Sequence, residues 1–399
     1  MSEPGEPLPL PLDWADPGPW DGIVIGAGPA GAMAARQLAL AGRRVLLVEK
    51  KRFPRWKICG ACLNGQALAV LRSVGLGSLV TRQEAIPLDQ FHVSFRGRST
   101  RLAMPGGFAL SRSRLDAALV DAAINCGVRF VDDTIGAVGE SRDGSRLVRL
   151  SCQGRFTDVA ARVVLMATGL GNSRSPDGSV ARTQVQAGSR IGAGCLISDA
   201  PAFYNAGTIF MAVGREGYVG LVRVEDGSLN VAAAFAPAFV RRSGEPGSAA
   251  AAILAEAGLP PITNLQNAHW QGTAGLSRQT QPRALERLFL LGDAASYVEP
   301  YTGEGIAWAL TSGHAVAPLA LQAIERWEPQ LARAWSKLHR RLIGRRQILC
   351  RATALTLRQP WLAPLAFGVL SCVPGSAAFL INRFNAPPSF TNASEPCPS

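Results

Sequence analysis

The sequence predicts an α/β protein: a doubly wound, Rossmann-like domain with an inserted antiparallel β-sheet domain and a helical C-terminal tail. Three observations favour this class. Near the amino end, a β-branched strand, a glycine-rich turn and an Ala-rich helix follow one another from residue 21 to about residue 41. Residues 185–276 change to short strands with Gly-rich turns and one Ala-rich helix. Residues 333–351 have the pattern of a basic amphipathic helix.

The first strand ends in a Gly-x-Gly-x-x-Gly turn formed by Gly26, Gly28 and Gly31. In such turns the first glycine allows a tight bend, the second lets the backbone approach a pyrophosphate, and the third lets helix and strand pack closely. A second apolar strand ends at Glu49, where an acid can accept hydrogen bonds from ribose hydroxyls. This order of elements predicts a dinucleotide site.

Two later segments favour a flavin over a nicotinamide nucleotide. Gly292-Asp293 follows a buried strand, and a carboxylate there can hydrogen-bond the ribityl chain of a flavin. Thr302-Gly303-Glu304-Gly305 then opens a long helix, whose N–H groups and positive dipole end can stabilise negative charge on a reduced flavin ring. The predicted cofactor is therefore FAD.

Composition narrows the class of protein and its partners. The chain has 399 residues, 47% of them hydrophobic and 18% charged, with a net charge of +12. Arginine is dispersed without a long basic run, which favours a solvated surface and no nucleic-acid partner. The eight cysteines indicate neither a disulfide framework nor a metal site. Residues 1–19 lack the features of a signal peptide and predict a flexible leader on a cytoplasmic protein.

With these motifs, the chain resembles the FAD-dependent oxidoreductases of the para-hydroxybenzoate-hydroxylase fold, and among them the geranylgeranyl reductase group. The resemblance spans about residues 20–320. The motifs that carry it are Gly26-Ala27-Gly28-Pro29-Ala30-Gly31, Glu49, Phe53-Pro54-Arg55, Lys57-x-Cys59-Gly60, Arg112 with Leu115-Asp116, Gly292-Asp293-Ala294-Ala295 and Pro300-x-Thr302-Gly303-Glu304-Gly305-Ile306.

The resemblance implies roles for individual residues. Glu49 is expected to bind the adenosine ribose, Arg112 to contact FAD from the start of its helix, and Asp293 to hold the sugar–phosphate portion. The expected cofactor-binding residues are Gly26, Gly28, Ala30, Gly31, Glu49, Lys50, Arg112, Gly292, Asp293, Gly303, Gly305 and Ile306.

Cys59 and Tyr218 are the candidate catalytic residues. In the resembled group, the cysteine that matches Cys59 lies near the flavin, where a thiol can donate a proton or react with substrate. Tyr218 is a candidate for the substrate cavity.

Two segments depart from the resembled pattern. The superfamily often has Asp-Gly where this chain has Thr168-Gly169. Prenyl reductases tend to carry Tyr-x-Trp-x-Phe-Pro, whereas here Tyr218 is followed by Gly220, Val222 and Arg223 at the three later positions. The second departure leaves the substrate class open.

The expected function is oxidation or reduction of a hydrophobic small molecule, isoprenoid or polyketide-like, by hydride transfer through flavin N5, with NAD(P)H as a candidate electron donor. One alternative is a monooxygenase that hydroxylates an aromatic or polyketide substrate. Another is a membrane-associated electron-transfer flavoprotein, suggested by the absence of charge between Arg358 and Arg383, which allows peripheral membrane contact or packing on the enzyme. The predicted parts are a leader (1–19), an FAD-binding domain (20–85, 107–184 and 277–330), a β-rich substrate domain (86–106 and 185–276) and a helical C-terminal region (331–399).

Overall fold

A computed structural model of the protein describes residues 20–171, 181–299, 303–358 and 368. The strands are β1 (Trp20–Ile25), β2 (Val45–Val48), β3 (Cys62–Leu63), β4 (Ile86–Pro87), β5 (Gln90–Phe95), β6 (Arg98–Ala103), β7 (Phe108–Ala109), β8 (Arg129–Val131), β9 (Ile135–Arg142), β10 (Ser145–Cys152), β11 (Arg155–Met166), β12 (Arg182–Val185), β13 (Ile191–Ile197), β14 (Thr208–Val213), β15 (Gly217–Arg223), β16 (Leu229–Phe235), β17 (Gln271–Gly275), β18 (Arg278–Gln281), β19 (Ala284–Leu285), β20 (Leu288–Leu290) and β21 (Ser296–Tyr297). The helices are α1 (Pro29–Leu40), α2 (Gly65–Ser73), α3 (Leu79–Arg82), α4 (Arg112–Ile124), α5 (Pro237–Ser243), α6 (Pro246–Ala257), α7 (Gly305–Ala315), α8 (Ala317–Glu325), α9 (Pro329–His339) and α10 (Arg345–Arg358).

The predicted doubly wound sheet is present. Its order is β19-β20-β11-β1-β2-β8, and the strands from β20 to β8 are parallel to their neighbours. β1 and β2 are almost wholly buried, as expected for strands covered on both faces. Helices α1, α4 and α7 pack on one face through a core that includes Met33, Leu38, Leu115 and Leu310. The hairpin β9–β10 continues the sheet through the first half of β11.

The β-rich segments form a second sheet of order β17-β13-β16-β15-β14-β5-β6. Strands β5 and β6 come from the short segment near residues 86–106, and β5 joins the sheet by parallel pairing with β14. Helices α5 and α6 cover the outer face, where Phe235 and Ile253 lie in one apolar cluster. The inner face is therefore left to face the doubly wound domain.

The C-terminal helix predicted over residues 333–351 is not continuous. α9 ends at His339, a π-helical turn follows at Arg340–Gly344, and α10 then begins. Buried side chains recur every four residues at positions 331, 335, 339, 343 and 347. Because four exceeds the 3.6 residues of an α-helical turn, a wider turn keeps these side chains on one face.

No helix in the described part of the chain is long and apolar enough to cross a membrane. The leader and, apart from Gly368, the uncharged stretch beyond Arg358 lie outside the described residues.

The burial of His339 leads us to expect that the protein loses stability in acid. The side chain is 1% exposed, stacks edge-on against Trp335, and neither ring nitrogen has a hydrogen-bond partner among the described residues. Burial, with a contribution from nearby Arg283, lowers the pKa of His339 to about 3. The unfolded chain takes up this proton below about pH 6.5, whereas the folded chain does not, so falling pH favours unfolding by about 2 kcal/mol at pH 5.

We expect His339→Phe to remove this part of the pH dependence while keeping the ring contact with Trp335. Urea unfolding at pH 7 and pH 5 measures it: the drop in unfolding free energy should shrink by about 2 kcal/mol relative to the parent protein. Replacement of the exposed His269 by glutamine serves as the control and should leave the drop unchanged. An unaltered drop in His339→Phe would contradict the assignment.

Candidate active site

A cavity of about 950 Å³ lies between the carboxyl ends of the parallel strands and the inner face of the second sheet. It runs from the turn after β1 to Leu102 and Met104 beside β6. Of the predicted site residues, Gly31 is the one that does not line it. Those that line it are Gly26, Gly28, Ala30, Glu49, Lys50, Cys59, Arg112, Tyr218, Gly292, Asp293, Gly303, Gly305 and Ile306.

Each of the three motif glycines is required for a different local reason. Gly26 has φ +103°, and a Cβ on it would overlap the carbonyl oxygen of Ala167. A Cβ on Gly31 would overlap the carbonyl oxygen of Gly26, so Gly31 closes the turn from behind. A Cβ on Gly28 would stand 3.4 Å from the Arg112 guanidinium, in the space open to the cavity.

A buried network of charges joins this turn to α4. The Glu49 carboxylate accepts hydrogen bonds from the Ala27 N–H (3.1 Å) and from Arg55 (3.0 Å). Arg55 also donates to Asp116 (2.8 Å). Asp116 in turn holds the Arg112 guanidinium through two bonds of 2.8 and 2.7 Å. Two carboxylates and two guanidiniums thus fix one another beside the glycine turn.

The network leaves donors and acceptors for a ligand. A carboxylate can accept about four hydrogen bonds, and Glu49 uses three, including one from the Lys51 N–H. Burial alone would lower the pKa of Arg112, but its ion pair with Asp116 outweighs this and raises the pKa. Arg112 therefore remains a cation that can still donate from its third nitrogen.

The segment that follows β2 carries Cys59 across the cavity. Its carbonyl oxygen accepts a hydrogen bond from the Asn230 side chain in β16 (2.8 Å). Trp56 and Ile58 lie against Gly194 of β13, where a Cβ would come within 3.5 and 3.2 Å of them. The absence of a side chain at Gly194 therefore lets this segment rest on the second sheet, and it places Cys59 between the two sheets.

A second charged group, Asp293 with Lys57, lines the cavity near Arg112. Asp293 follows β20 and accepts no hydrogen bond from any described residue, although Lys57, Arg112 and Arg278 all favour its charged form. Burial is the larger effect and raises the pKa of Asp293. Burial, and next Arg112, lower the pKa of Lys57. Gly169, at φ +67°, leaves room for the Lys57 ammonium, which a Cβ there would meet at 2.6 Å.

Tyr297 was not predicted as a site residue, yet it lines the cavity. A Cβ on Gly305, the first residue of α7, would lie 3.8 Å from its hydroxyl. Burial raises the pKa of Tyr297 well above its ordinary value, and Asp293, Cys59 and Tyr218 add to the effect. The phenol is therefore protonated at neutral pH. The Pro300–Thr302 part of the motif before α7 lies outside the described residues.

The inner face of the second sheet has small residues at its centre. Gly220 pairs with Met211 on one side and with Ala232 on the other, and all three line the cavity. Arg223, at the end of the same strand, instead donates to backbone carbonyls of the neighbouring loops, including that of Tyr204. The departure from the prenyl-reductase pattern therefore leaves no side chain at Gly220, where the Met211 side chain packs instead, and it fixes loops at Arg223.

Four further residues belong to the site: Arg55, Lys57, Asp116 and Tyr297. The spacing of Arg112 and Asp116 on one helix face was a usable signal, because residues four apart on a helix are neighbours. Nothing in the local sequence marks Tyr297. Within the described ranges, no group of three or more His, Cys, Asp or Glu could hold a metal ion.

Residues 20–169 match the family of FAD binding domains. The chain is an FAD-dependent oxidoreductase. It is 28% identical over 383 residues to a menaquinone reductase of Mycobacterium tuberculosis, covering 86% of this chain and 85% of the relative. It is 27% identical over 358 residues to digeranylgeranylglycerophospholipid reductase 1 of Methanothermobacter thermautotrophicus, covering 83% and 82%. A geranylgeranyl bacteriochlorophyll reductase-like protein from Thermoplasma acidophilum has the same fold, with a TM-score of 0.71 at 19% identity over 92% of this chain and 91% of that one.

The residues of this flavoenzyme fit FAD. Gly28 leaves a space beside Arg112 and the first turn of α1 in which a diphosphate could accept their N–H groups. The Asp293 carboxylate, among three cations, is an acceptor suited to ribityl hydroxyls. Gly303 and Gly305 line the cavity at the start of α7, with its N–H groups behind them.

Proposed function

We propose that the enzyme reduces a carbon–carbon double bond or a quinone in a hydrophobic small molecule, such as an isoprenoid, and that it can run in the oxidative direction with the same groups. The observation that carries this proposal is the apolar chamber at the second-sheet end of the cavity. Its lining side chains are Leu88, Phe91, Leu102, Met104, Ile209, Met211 and Val222.

The residues at the centre of the second sheet connect the chamber to the rest of the cavity. Tyr218 lies on β15, and Gly220, two residues along the same strand, pairs with Met211 on the neighbouring strand. Phe91 pairs with Leu102 across β5 and β6, and both side chains face the cavity. A substrate could therefore place its reacting carbons near Cys59 and Tyr218 while an apolar chain or ring system removes these surfaces from water.

FAD, when bound, accepts and returns a hydride at N5. The residues of this chain supply position and protons. The Glu49–Arg55–Asp116–Arg112 network orients donors towards a diphosphate, and the apolar chamber excludes water. Addition of a hydride to a double bond also needs one proton, which the Cys59 thiol or the Tyr297 phenol can hold at the cavity wall.

The names of the relatives support a lipid-soluble substrate, since one relative is a menaquinone reductase and another is a digeranylgeranylglycerophospholipid reductase. We propose NAD(P)H as the electron donor and no nucleic-acid partner. Because position 220 is glycine, with the flexible Met211 side chain beside it, we expect a substrate that is broader beside the reacting centre than one held against a large aromatic residue.

Anaerobic half-reactions test the proposal. The purified enzyme is reduced with NADPH or dithionite and mixed, without oxygen, with menaquinone-type quinones and prenylated lipids while flavin absorbance is followed. Reoxidation coupled to a reduced product supports the proposal. If reoxidation needs oxygen and yields a hydroxylated product, the enzyme is a monooxygenase and the reductase proposal is wrong.

We expect Cys59→Ala to slow this anaerobic reoxidation about 100-fold, as loss of a general acid does, with little change in the substrate concentration at half-maximal rate. Cys126→Ala, a substitution beyond the end of α4 and outside the cavity, is the matched control. Stopped-flow absorbance measures both variants. If Cys59→Ala keeps the parent rate while Tyr297→Phe loses it, the proton donor is the phenol.

A further inference from the structure

The positive charge of the chain is concentrated at its carboxyl end. From Pro329 onwards there are nine Lys and Arg residues and a single acidic residue, a net charge of +8 out of +12 for the whole chain. The flavin and substrate chemistry uses none of these residues. Within the described residues, this charge lies on α9, the π-helical turn and α10.

Three guanidiniums lie together here without a carboxylate. Arg283 precedes β19, Arg340 begins the π-helical turn, and Arg351 lies on α10. Burial, and then Arg340 and Arg351, lower the pKa of Arg283, so both of these guanidiniums lie near enough to Arg283 to repel its charge. None of them forms an ion pair with a described residue, and the Nε atoms of Arg283 and Arg351 are buried without partners. With the Gln279 amide oriented so that its oxygen faces Arg351, this oxygen is a neutral acceptor 2.7 Å from the guanidinium.

An exposed apolar face of α10 adjoins this cluster. Ile348 is 65% exposed and Leu355 57% exposed, and they lie seven residues apart on one side of the helix. Arg351 is three residues after the first and four before the second, so it is a surface neighbour of both. Arg341 and Arg345 are also exposed on this side of the segment.

We propose that these residues form a docking surface for an anionic phospholipid bilayer. Arg283, Arg340 and Arg351 bind the phosphates of lipid headgroups, whose negative charge relieves the repulsion within the cluster. Ile348 and Leu355 enter the interface beside them. A free phosphate ion offers the same charge, but it would leave the two apolar side chains in water, so the lipid headgroup is the better match. The surface deepens the proposed function, because a bilayer would supply a hydrophobic substrate.

Vesicle co-sedimentation of the full-length holoenzyme tests this surface. We expect binding to vesicles of phosphatidylglycerol and phosphatidylcholine and little binding to phosphatidylcholine alone. The triple variant Arg283→Gln, Arg340→Gln and Arg351→Gln should lower the partition coefficient about 100-fold. The matched control removes three exposed arginines elsewhere, Arg82, Arg155 and Arg215, and should lower it far less.

A second variant, Ile348→Gln with Leu355→Gln, tests the apolar face and should reduce binding about tenfold or more with no change in charge. Equal losses in the cluster and control triples would overturn the proposal in favour of a general charge effect. Stabilisation of the parent protein, but not of the cluster triple, by inorganic phosphate without vesicle binding would also overturn it and indicate a free-phosphate site.

Both tests are independent of the proposed function. None of the five substituted residues lines the cavity, so flavin content and reoxidation by a detergent-dispersed quinone should match the parent in every variant. If the parent binds vesicles but reduces no quinone or prenyl lipid, the docking surface stands and the proposed reaction fails.

Discussion

Replacement of Asp116 by alanine is expected to destabilise the protein by about 3–5 kcal/mol and to deprive it of bound flavin. Asp116 is fully buried and accepts hydrogen bonds from both Arg55 and Arg112. Without it, Arg55 keeps its ion pair with Glu49, whereas Arg112 is left buried without an ion-pair partner among the described residues. Urea unfolding of the flavin-free protein measures the first effect, and flavin absorbance of the purified variant measures the second.

Asp121→Ala is the matched control, because Asp121 lies on the same helix with an exposed side chain. We expect it to change the unfolding free energy by less than about 0.5 kcal/mol and to leave the flavin in place. An Asp116→Ala protein as stable as the Asp121→Ala protein would show that the network is not a structural element of the site.

Gly31→Ala is the second substitution with a large expected effect. The new methyl group would meet the carbonyl oxygen of Gly26, which is backbone and cannot rotate away. We expect a loss of about 3 kcal/mol in unfolding free energy and no detectable FAD binding, because the turn and the start of α1 must separate. Both quantities are measured on protein purified without added flavin and then titrated with it.

Gly28→Ala is expected to weaken cofactor binding without destabilising the fold. At φ −78° the backbone accepts alanine, and the methyl group would meet the side chain of Arg112 at 3.4 Å. We therefore expect the flavin-free stability to be preserved while FAD affinity falls at least about tenfold. Equal stability losses in the Gly28 and Gly31 variants would contradict the distinction between the two glycines.

Much of the fold could be predicted because its signals are local. The β1–turn–α1 unit, the acid after β2 and the Gly-Asp turn after β20 each follow from contiguous residues. The surroundings of the candidate site could not be predicted in the same way. Arg55 and Asp116 are 61 residues apart and meet only when α4 packs beside the glycine turn. Tyr297 packs against the apolar cluster that contains Tyr218, and its pKa is raised by burial, Asp293 and Cys59, none of which the order of the chain reveals.

The π-helical turn is a second feature that the local sequence does not predict. Its position depends on which side chains of α9 and α10 are covered by the rest of the protein, and hydrophobic spacing along the segment does not distinguish a four-residue period from 3.6 over so few turns. The structure places His339 on the buried side of this segment, beside Trp335.

The segment from Arg55 to Cys59 touches both ends of the cavity: Arg55 bonds Glu49 and Asp116, and Cys59 is held by Asn230 of the second sheet. Ordering of one end therefore reduces the conformational entropy that the other end still has to lose. Nucleotide and substrate should consequently bind with positive cooperativity, and by thermodynamic linkage each should raise the affinity of the enzyme for the other by the same factor.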